Sequence, residues 1–274
     1  MRNTTQKDKG KVFAQDAGKT RRLRIWFDVL TPKQVMFFKR AVEILQKQGH
    51  EVLCTSRSYR EAVELAKIKG MPLTLVGRHG GADRYGKLVA GAERVQELAG
   101  VVNGFAPDVA VAFASPEGAR VAFGLGIRHV GFNDSPHAEA VARLTVPLTS
   151  TLLCPWVIPY QALTRYGIAR KDVLRYRALD PAAWLKHYDT LAQEDRKERK
   201  TVLVRLEESK ASYVADSKHT SSSLVDAAID NLSAPGKEAE IVILCRYGDQ
   251  IEYAKERYGS RAGIVEDVVD GVPL

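Results

Sequence analysis

The feature that most constrains the fold is a regular alternation of short apolar runs with amphipathic segments. Between the runs, apolar residues recur every three or four positions, as Val35, Phe38 and Val42 do. The run Val109–Phe113 is apolar throughout, which is typical of a strand buried on both faces. Six such strands are predicted, at residues 23–27, 51–55, 73–76, 108–113, 128–132 and 151–154. Strands alternating with helices predict a doubly wound α/β lobe with a parallel sheet.

Helix boundaries in this first part follow from capping residues. Ser58 with Glu61 forms a capping-box pattern, and Ser115-Pro116 is typical of an N-cap followed by the first helical residue. The helix after Ser115 is predicted to end near Gly124. The next is predicted over residues 136–144.

A second, shorter alternation begins at Thr201. Strands are predicted at 201–206, 240–245 and 262–265, and helices at 221–232 and 249–258. These elements amount to about half of a lobe like the first, so we expect a second Rossmann-like lobe that is truncated at its C-terminus. A small natural second lobe is the alternative. The predicted organisation is a disordered basic tail (1–22), a first lobe (23–160), a connector (161–200) and a partial second lobe (201–274).

The charge is unevenly distributed along the chain. The net charge is +8, but residues 1–24 contain eight Lys or Arg and only two Asp, so most of the excess lies there. The remaining chain is close to neutral, which argues against a nucleic-acid-binding core. We expect the tail to be a solvated extension, with weak binding to nucleic acid or membrane phosphate as the alternative.

Several protein classes are excluded by composition and motifs. No apolar run approaches the ~20 residues of a membrane span, and residues 1–24 lack the apolar segment of a secretory signal. Three scattered cysteines, Cys54, Cys154 and Cys245, form neither a disulfide framework nor a metal site. We therefore expect a cytoplasmic protein without bound metal. HExxH, GxSxG, P-loop, CxxC and GxGxxG motifs are also absent, which argues against zinc hydrolases, serine esterases, P-loop NTPases and dinucleotide-binding proteins.

Ligands of open parallel sheets bind beyond the carboxyl ends of the strands, so the loops there hold the candidate residues. In the first loop, the N-terminus of the helix that follows favours binding of an anion. A lysine and two polar side chains lie beside that N-terminus in the sequence. In the second, the Gly-rich segment 77–81 either binds a ligand or makes a simple turn. In the third, Ser115 is a helix cap or a ligand group, and Glu117 faces the same cleft. The candidate substrate-binding residues of these three loops are Thr31, Lys33, Gln34, Arg78, His79, Ser115 and Glu117.

The fourth loop, 133–140, has the most candidate chemistry. Asp134, His137 and Glu139 suit general acid–base work on a hydroxyl or a C–H proton. Arg143 lies four residues after Glu139 and is expected to pair with it, which keeps the carboxylate ionised. A helix cap with surface ion pairs, in which Asp134 is the cap, is the alternative for the same residues.

These loops also resemble a known family. The matching segments are Ile25–Asp28, Gly49–Val52, Gly77–Gly80, Ala119–Gly126, Phe132–Asp134, Ala138–Ala140, Arg143–Pro147, Tyr176–Leu179 and Val204–Ser209. In order and content they resemble the largely archaeal domain-of-unknown-function family 354, over essentially residues 22–274. That family is similar to the GT-B superfamily, which includes UDP-N-acetylglucosamine 2-epimerases and lipid-linked N-acetylglucosaminyltransferases.

The resemblance implies two Rossmann-like lobes facing a cleft, with the acceptor or reacting sugar in the first and the nucleotide in the second. His137–Ala140 is similar to the His-Val-Glu-Ala segment of the epimerases, which implies an acid–base role for Glu139 and a place in the cleft for His137. Asp134 is the further catalytic candidate, Arg143 a substrate-binding one, and Arg205 and Arg246 are the candidates for the nucleotide phosphates. The family commonly has Asn-Pro-x-His where this chain has Thr31–Gln34.

The implied function is processing of a nucleotide-activated sugar. The substrate is expected to be UDP-linked, no separate cofactor is expected, and the partner is a lipid- or glycan-type acceptor. The Gly-rich nucleotide loop expected soon after Asp270 does not occur in this chain, so the chain is expected to be an incomplete form. The alternative function is a non-catalytic carbohydrate- or nucleotide-binding module, with nucleic acid contacted only by the tail.

Overall fold

Two parallel sheets make up the framework of the protein. The computed structural model describes residues 21–81, 83–186, 200–206, 222–234, 239–245 and 247–270. The strands are β1 Arg24–Asp28, β2 Glu51–Ser58, β3 Thr74–Arg78, β4 Val109–Phe113, β5 Arg128–Phe132, β6 Thr151–Pro155, β7 Val173–Tyr176, β8 Lys200–Arg205, β9 Ala239–Leu244 and β10 Gly263–Val265. The first sheet has the order β3-β2-β1-β4-β5-β6-β7 and the second the order β10-β9-β8, with every pairing parallel.

Helices connect the strands. They are α1 Pro32–Lys47, α2 Arg60–Ile68, α3 Arg84–Phe105, α4 Pro116–Gly124, α5 Glu139–Thr145, α6 Gln161–Thr164, α7 Ala182–Leu185, α8 Ser222–Leu232 and α9 Gly248–Tyr258. The α1 helix begins at the Thr31 cap and is followed by Gly49, whose φ of 86° suits glycine. The doubly wound α/β fold predicted from the alternation is confirmed.

The central strand β1 shows why both faces of the sheet are covered. Its residue Phe27 packs edge-on against Phe38 of α1, with ring centroids 5.2 Å apart, in the core that includes α1 and α2. Its neighbour Trp26 points to the opposite face, into the core formed with α3 and α4. Because successive strand residues face opposite ways, an apolar run without alternation fills both cores. Each large side chain buried in this way contributes about 1.5–3 kcal/mol.

The structure differs from the sequence predictions at three places. A seventh strand, β7, lies inside the predicted connector and pairs with β6. It has no continuous apolar run, since it contains Arg175 and Tyr176. The capping box at Ser58 is wrong, because Ser58 ends β2 and the N-cap of α2 is Tyr59, whose side chain makes no cap bond. The fifth helix begins at Glu139 rather than at Pro136.

The second sheet has its own core and is linked to the first part of the chain. Ile241 and Ile243 of β9 pack with Ile229 of α8 and Tyr258 of α9. The segment 266–270 after β10 contacts the first lobe at three points. Lys69 pairs with Asp270, Arg60 donates to the Glu266 carbonyl at 3.1 Å, and Val268 packs on the core of α1 and α2. This segment is called the docking segment below.

Three further findings concern the cysteines, the helices and the side chains that could ligate a metal. All three cysteines are free, and burial raises the pKa of the Cys54 thiol to about 12. Within the described ranges, no helix is long and apolar enough to span a membrane. No group of three or more His, Cys, Asp or Glu is placed to hold a metal ion in that same part of the chain. The basic tail up to residue 20 and residues 187–199 of the predicted connector lie outside the described residues.

Candidate functional site

The strand order places the candidate site above the adjacent carboxyl ends of β1 and β4. From β1 the chain proceeds outward to β2 and β3, and from β4 outward to β5, β6 and β7. Helices after β1 and β4 therefore lie on opposite faces, which leaves a crevice between the two strand ends. The crevice is bordered by the segments at the carboxyl ends of β1, β2, β4 and β5, which are residues 28–34, 56–59, 113–118 and 133–139.

A buried ion pair forms the floor of the crevice. Arg94 of α3 donates from Nη2 to Asp28 Oδ1 at 2.6 Å and from Nη1 to Oδ2 at 3.1 Å, with each side chain only 1% exposed. Hydroxyls of Thr55 (2.7 Å) and Ser115 (2.6 Å) donate to the same carboxylate. Arg94 Nε also donates to the Val76 carbonyl at 3.0 Å. Burial acts to lower the pKa of Arg94, but Asp28 outweighs it and the pKa is raised. Removing one partner of such a pair costs about 3–5 kcal/mol.

Ser115 joins this floor to the following helix. Its hydroxyl caps α4 by accepting from the Gly118 N–H at 3.0 Å, as predicted, while it donates to Asp28. A Cβ at Gly118 would lie 2.9 Å from Ser115 Oγ and 3.0 Å from Asp28 Oδ2. The glycine therefore allows the close approach of α4 to the ion pair. Ser115 itself is fully buried, so its role in the structure is to hold α4.

Above the floor lie Glu117 of α4 and Arg57 of β2. The Glu117 side chain is 16% exposed, and its Oε2 lies 3.7 Å from Arg94 Nη1. That oxygen has no hydrogen-bond partner among the described residues, and the same holds for the buried Nε of Arg57. Burial lowers the pKa of Arg57, and Glu117 is the largest influence opposing that shift. The two side chains thus interact electrostatically without satisfying these two polar atoms.

A second cluster of charged residues lies on the β5 side of the crevice and includes residues of the predicted connector. Lys33 of α1 pairs with Asp134 after β5, and its Nζ lies 2.6 Å from Oδ2 of the buried Asp180. The same ammonium lies 4.1 Å from the Phe113 ring centroid. Tyr176 of β7 donates a hydrogen bond to Asp180. Lys33 therefore holds residues after β5 and β7 against the start of α1.

This arrangement favours an ionised Asp134. Burial acts to raise the pKa of Asp134, but hydrogen bonding to Lys33, the charge of Lys33 and the Ser135 hydroxyl outweigh it, so the pKa is lowered. Burial, followed by the bond to Asp180, raises the pKa of Tyr176. Asp134 does not cap α5, whose N-cap residue is Ala138. Of its two predicted roles, the helix cap is therefore wrong, and an ionised carboxylate fits a proton acceptor.

The two other candidates of the first loop have structural contacts. Thr31 caps α1 by accepting from the Gln34 N–H at 3.4 Å. The buried Gln34 amide accepts from the Leu30 N–H at 2.6 Å and donates to the Phe113 carbonyl at 2.9 Å. Gln34 thus connects the carboxyl ends of β1 and β4, which keeps the crevice at a fixed width.

Glu139, the leading catalytic candidate, is exposed at the N-terminus of α5. Its carboxylate accepts from Arg143 at 2.6 and 2.8 Å, and the two side chains are 58% and 68% exposed. The predicted i,i+4 pair is confirmed. His137 is exposed in the turn before this helix. These three residues follow Asp134 in sequence. The catalytic roles of Glu139 and His137 and the substrate-binding role of Arg143 stay predictions.

The Gly-rich loop packs closely against α3. Arg78 pairs with Glu93 at 3.0 Å on the surface, and the His79 ring stacks on Tyr59 with centroids 5.1 Å apart. A Cβ at Gly80 would lie 2.5 Å from the Gly86 carbonyl oxygen. The turn proposed as the alternative for this loop is thus present, and binding by Arg78 and His79 stays a prediction. Of the two nucleotide candidates, Arg205 is exposed at the carboxyl end of β8, and Arg246 lies outside the described residues.

Sequence reasoning missed four charged residues of the crevice: Asp28, Arg57, Arg94 and Asp180. Asp28 and Arg57 each closely follow a predicted strand. This position could have identified them, because ligands bind beyond the carboxyl ends of such strands. Arg94 occupies the apolar stripe of α3 between Ala90 and Leu98, both buried, so its spacing marks a buried cation. No local pattern marks Asp180, because β7 and the turn after it have no apolar periodicity.

Comparison with solved structures identifies proteins with a similar fold. UDP-GlcNAc 2-epimerase from Methanocaldococcus jannaschii, in complex with UDP-GlcNAc and UDP, is 16% identical with a TM-score of 0.70, and the match covers 91% of this chain and 75% of that one. The enzyme from Neisseria meningitidis, bound to UDP-GlcNAc, is 13% identical with a TM-score of 0.70, over 92% and 74% of the chains. MnaA of S. aureus with UDP is 13% identical with a TM-score of 0.70, and the match covers 92% of this chain and 70% of that one. The fold is thus a GT-B type with Rossmann-like lobes.

Sequence comparison identifies the family. An uncharacterized protein of Methanocaldococcus jannaschii is 33% identical over 145 residues, which are 53% of this chain and 42% of that protein. The matched region thus spans less than half of the relative's length. The profile described as "Protein of unknown function (DUF354)" matches residues 23–274, all of the chain beyond the basic tail. The chain belongs to the DUF354 family.

Proposed function

We propose that this protein binds a UDP-linked sugar and acts on it by glycosyl transfer or by epimerisation at the sugar carbon next to the anomeric centre. The observation that carries the proposal is the match of 91% of the chain to a 2-epimerase whose structure contains UDP-GlcNAc and UDP. The crevice between β1 and β4 supports it, since ligands of such sheets bind at this position.

The charged groups of the crevice supply a base for either reaction. In a transfer, Asp134 or Glu139 accepts the proton of an acceptor hydroxyl, the acceptor oxygen bonds to the anomeric carbon, and UDP leaves. In an epimerisation, the base removes the proton from the carbon next to the anomeric centre, and the electron pair forms a double bond to the anomeric carbon as UDP leaves. UDP then adds back to the anomeric carbon as a proton returns to the neighbouring carbon on the opposite face. The lowered pKa of Asp134 favours a base over an acid at neutral pH. His137 and Arg143 contact the substrate beside it.

The diphosphate requires positive charge at the opposite side of the cleft. Lys33 already pairs with Asp134 and Asp180, so it reaches a phosphate only by exchanging one of these carboxylates. Arg205, exposed at the carboxyl end of β8, and Arg246, in the same predicted lobe, are the further candidate cations. Thr31 and Gln34 hold the crevice, and Arg78 and His79 extend its rim.

Two measurements on the purified protein test this proposal. Calorimetric titration with UDP-GlcNAc and with UDP is expected to show saturable binding of both. Incubation with UDP-GlcNAc in D2O, followed by proton NMR, separates the reactions. Epimerisation replaces the hydrogen next to the anomeric carbon by deuterium, whereas transfer releases UDP only when an acceptor is supplied.

The outcomes separate an enzyme from a binding module. Binding without exchange or UDP release, across lipid and glycan acceptors, supports the alternative of a non-catalytic nucleotide- or carbohydrate-binding module. The exposed Glu139–Arg143 pair is the observation that favours this alternative, because solvated ion pairs of this kind are common on protein surfaces without a catalytic role. Absence of binding to either nucleotide contradicts the proposal in both forms.

A further inference from the structure

We infer that Arg57 and Glu117 form a binding site for a neutral hydroxyl group of the sugar, an inference that rests on the proposed function. Glu117 Oε2 is an acceptor without a hydrogen-bond partner, and Arg57 Nε is a donor without one, each judged among the described residues. A buried polar atom without a partner costs about 1–3 kcal/mol, so two complementary ones at one crevice require an explanation.

The surrounding charges decide which kind of group fits. The cluster consists of two cations, Arg57 and Arg94, and two anions, Asp28 and Glu117. Asp28 and Arg94 satisfy each other with two hydrogen bonds, which leaves the outer pair. A phosphate placed between these outer groups is repelled by Glu117, and an ammonium is repelled by Arg57. A hydroxyl donates its proton to the carboxylate and accepts from the guanidinium N–H, so it satisfies both.

Access to the pair comes from the crevice side. Both side chains are partly exposed, but the two unpaired atoms are buried, so binding of a hydroxyl requires a change of side-chain rotamer that turns these atoms toward the cleft. On the inner side, α3 has a glycine facing the carboxylate. A Cβ at Gly91 would lie 3.3 Å from Glu117 Oε1, so the glycine leaves the carboxylate room to turn. Arg94 Nη1, 3.7 Å from Oε2, remains behind the carboxylate and attracts it.

Arginine side-chain NMR tests the contact directly. The Arg57 Nε–H resonance, assigned by its loss in Arg57→Lys, is followed while UDP-GlcNAc or UDP is added. A shift with UDP-GlcNAc and none with UDP is expected, because only the sugar brings hydroxyls to this lobe. A purely structural role of Arg57 leaves the resonance unmoved in both titrations.

Calorimetry of variants measures the contribution of the pair. Glu117→Gln and Arg57→Lys are expected to weaken UDP-GlcNAc binding about tenfold or more and to leave UDP binding unchanged, since each removes one charge-assisted hydrogen bond. Glu43→Gln and Arg40→Gln, which alter an exposed ion pair on α1, are the matched controls and are expected to change neither affinity. Thermal melting verifies that each variant is folded.

The outcomes distinguish the two levels of inference. If UDP-GlcNAc binds but neither the Arg57 resonance nor the Glu117→Gln affinity changes, the hydroxyl site is wrong, the pair holds only water, and the proposed function stands. If the wild-type protein binds neither UDP nor UDP-GlcNAc, the proposed function fails, and the hydroxyl site fails with it.

Discussion

At the scale of single residues, the first lobe buries several polar side chains and treats them differently. Asp28 and Arg94 are charged and satisfied by each other and by two hydroxyls. His129 of β5 is 2% exposed, its Nδ1 lies 3.3 Å from the Thr149 hydroxyl, and its Nε2 has no hydrogen-bond partner within the described residues. Burial lowers the pKa of His129 to about 4, although a hydrogen bond with the Leu148 backbone opposes this.

This buried histidine makes stability depend on pH. An unfolded histidine titrates near 6.5, so between pH 6.5 and 4 the unfolded chain binds a proton that the folded chain does not. The free energy of unfolding therefore falls as the pH falls through this window, by about 1.4 kcal/mol per pH unit at most. Urea unfolding at pH 7 and at pH 4.5 measures it. In His129→Gln this loss is expected to be smaller by about 2 kcal/mol, and parallel pH curves for the two proteins would contradict the assignment.

At the scale of elements, the contact between the loop after β3 and helix α3 depends on the absence of a side chain. A Cβ at Gly80 would lie 2.5 Å from both the Gly86 carbonyl oxygen and Lys87 Cα, and these are backbone atoms that no rotamer change moves. Elsewhere on the same helix, Gly100 has no atom within 4 Å of such a Cβ. The two glycines therefore have opposite consequences for stability.

Replacing each glycine by alanine tests this contrast. Gly80→Ala is expected to destabilise the protein by about 1–3 kcal/mol, because the loop must move away from α3. Gly100→Ala is expected to stabilise it by about 0.5–1 kcal/mol, because alanine is the better helix former inside α3. Chemical denaturation of both variants gives the comparison. Equal effects of the same sign would show that the loop does not need its close approach to the helix.

Most elements were predictable from the sequence, and those that were not have physical reasons. The α4 helix and its cap follow from Ser115-Pro116, since local hydrogen bonding decides them. In contrast, β7 gains its place from pairing with β6, a long-range contact that no local pattern encodes. Ser58 satisfied a local pattern for a cap, but pairing with Arg78 keeps it in the sheet. Of the site, the loops at the strand ends were predictable, and the contacts of Lys33 and Arg94 were not.

At the scale of the whole molecule, the docking segment is the described link from the second sheet back to the first lobe. It combines the Lys69–Asp270 ion pair, a hydrogen bond from Arg60 and the packing of Val268. Both members of the ion pair are mostly buried, so this contact is worth more than an exposed surface pair. The position of the second sheet is therefore fixed partly by α2.

Hydrogen exchange measures this link. Lys69→Met is expected to lower the free energy of local opening at residues 263–270 by about 1 kcal/mol, which accelerates amide exchange there about fivefold. Arg257→Gln removes an exposed pair with Asp226 between α9 and α8, and it is the control expected to leave that exchange unchanged. Unchanged exchange in Lys69→Met would show that Val268 and Arg60 alone hold the segment.

The central position of β1 also has a consequence for how the chain folds. Its two neighbours are distant in sequence, because Ile25 lies opposite Val52 on one side and opposite Val109 on the other. During synthesis, β1, β2 and β3 emerge first and leave one edge of β1 unpaired until β4 follows. That edge belongs to a strand that carries the large apolar side chains of Trp26 and Phe27. We expect a nascent chain of this kind to fold slowly and to be prone to aggregation until β4 pairs with the free edge of β1.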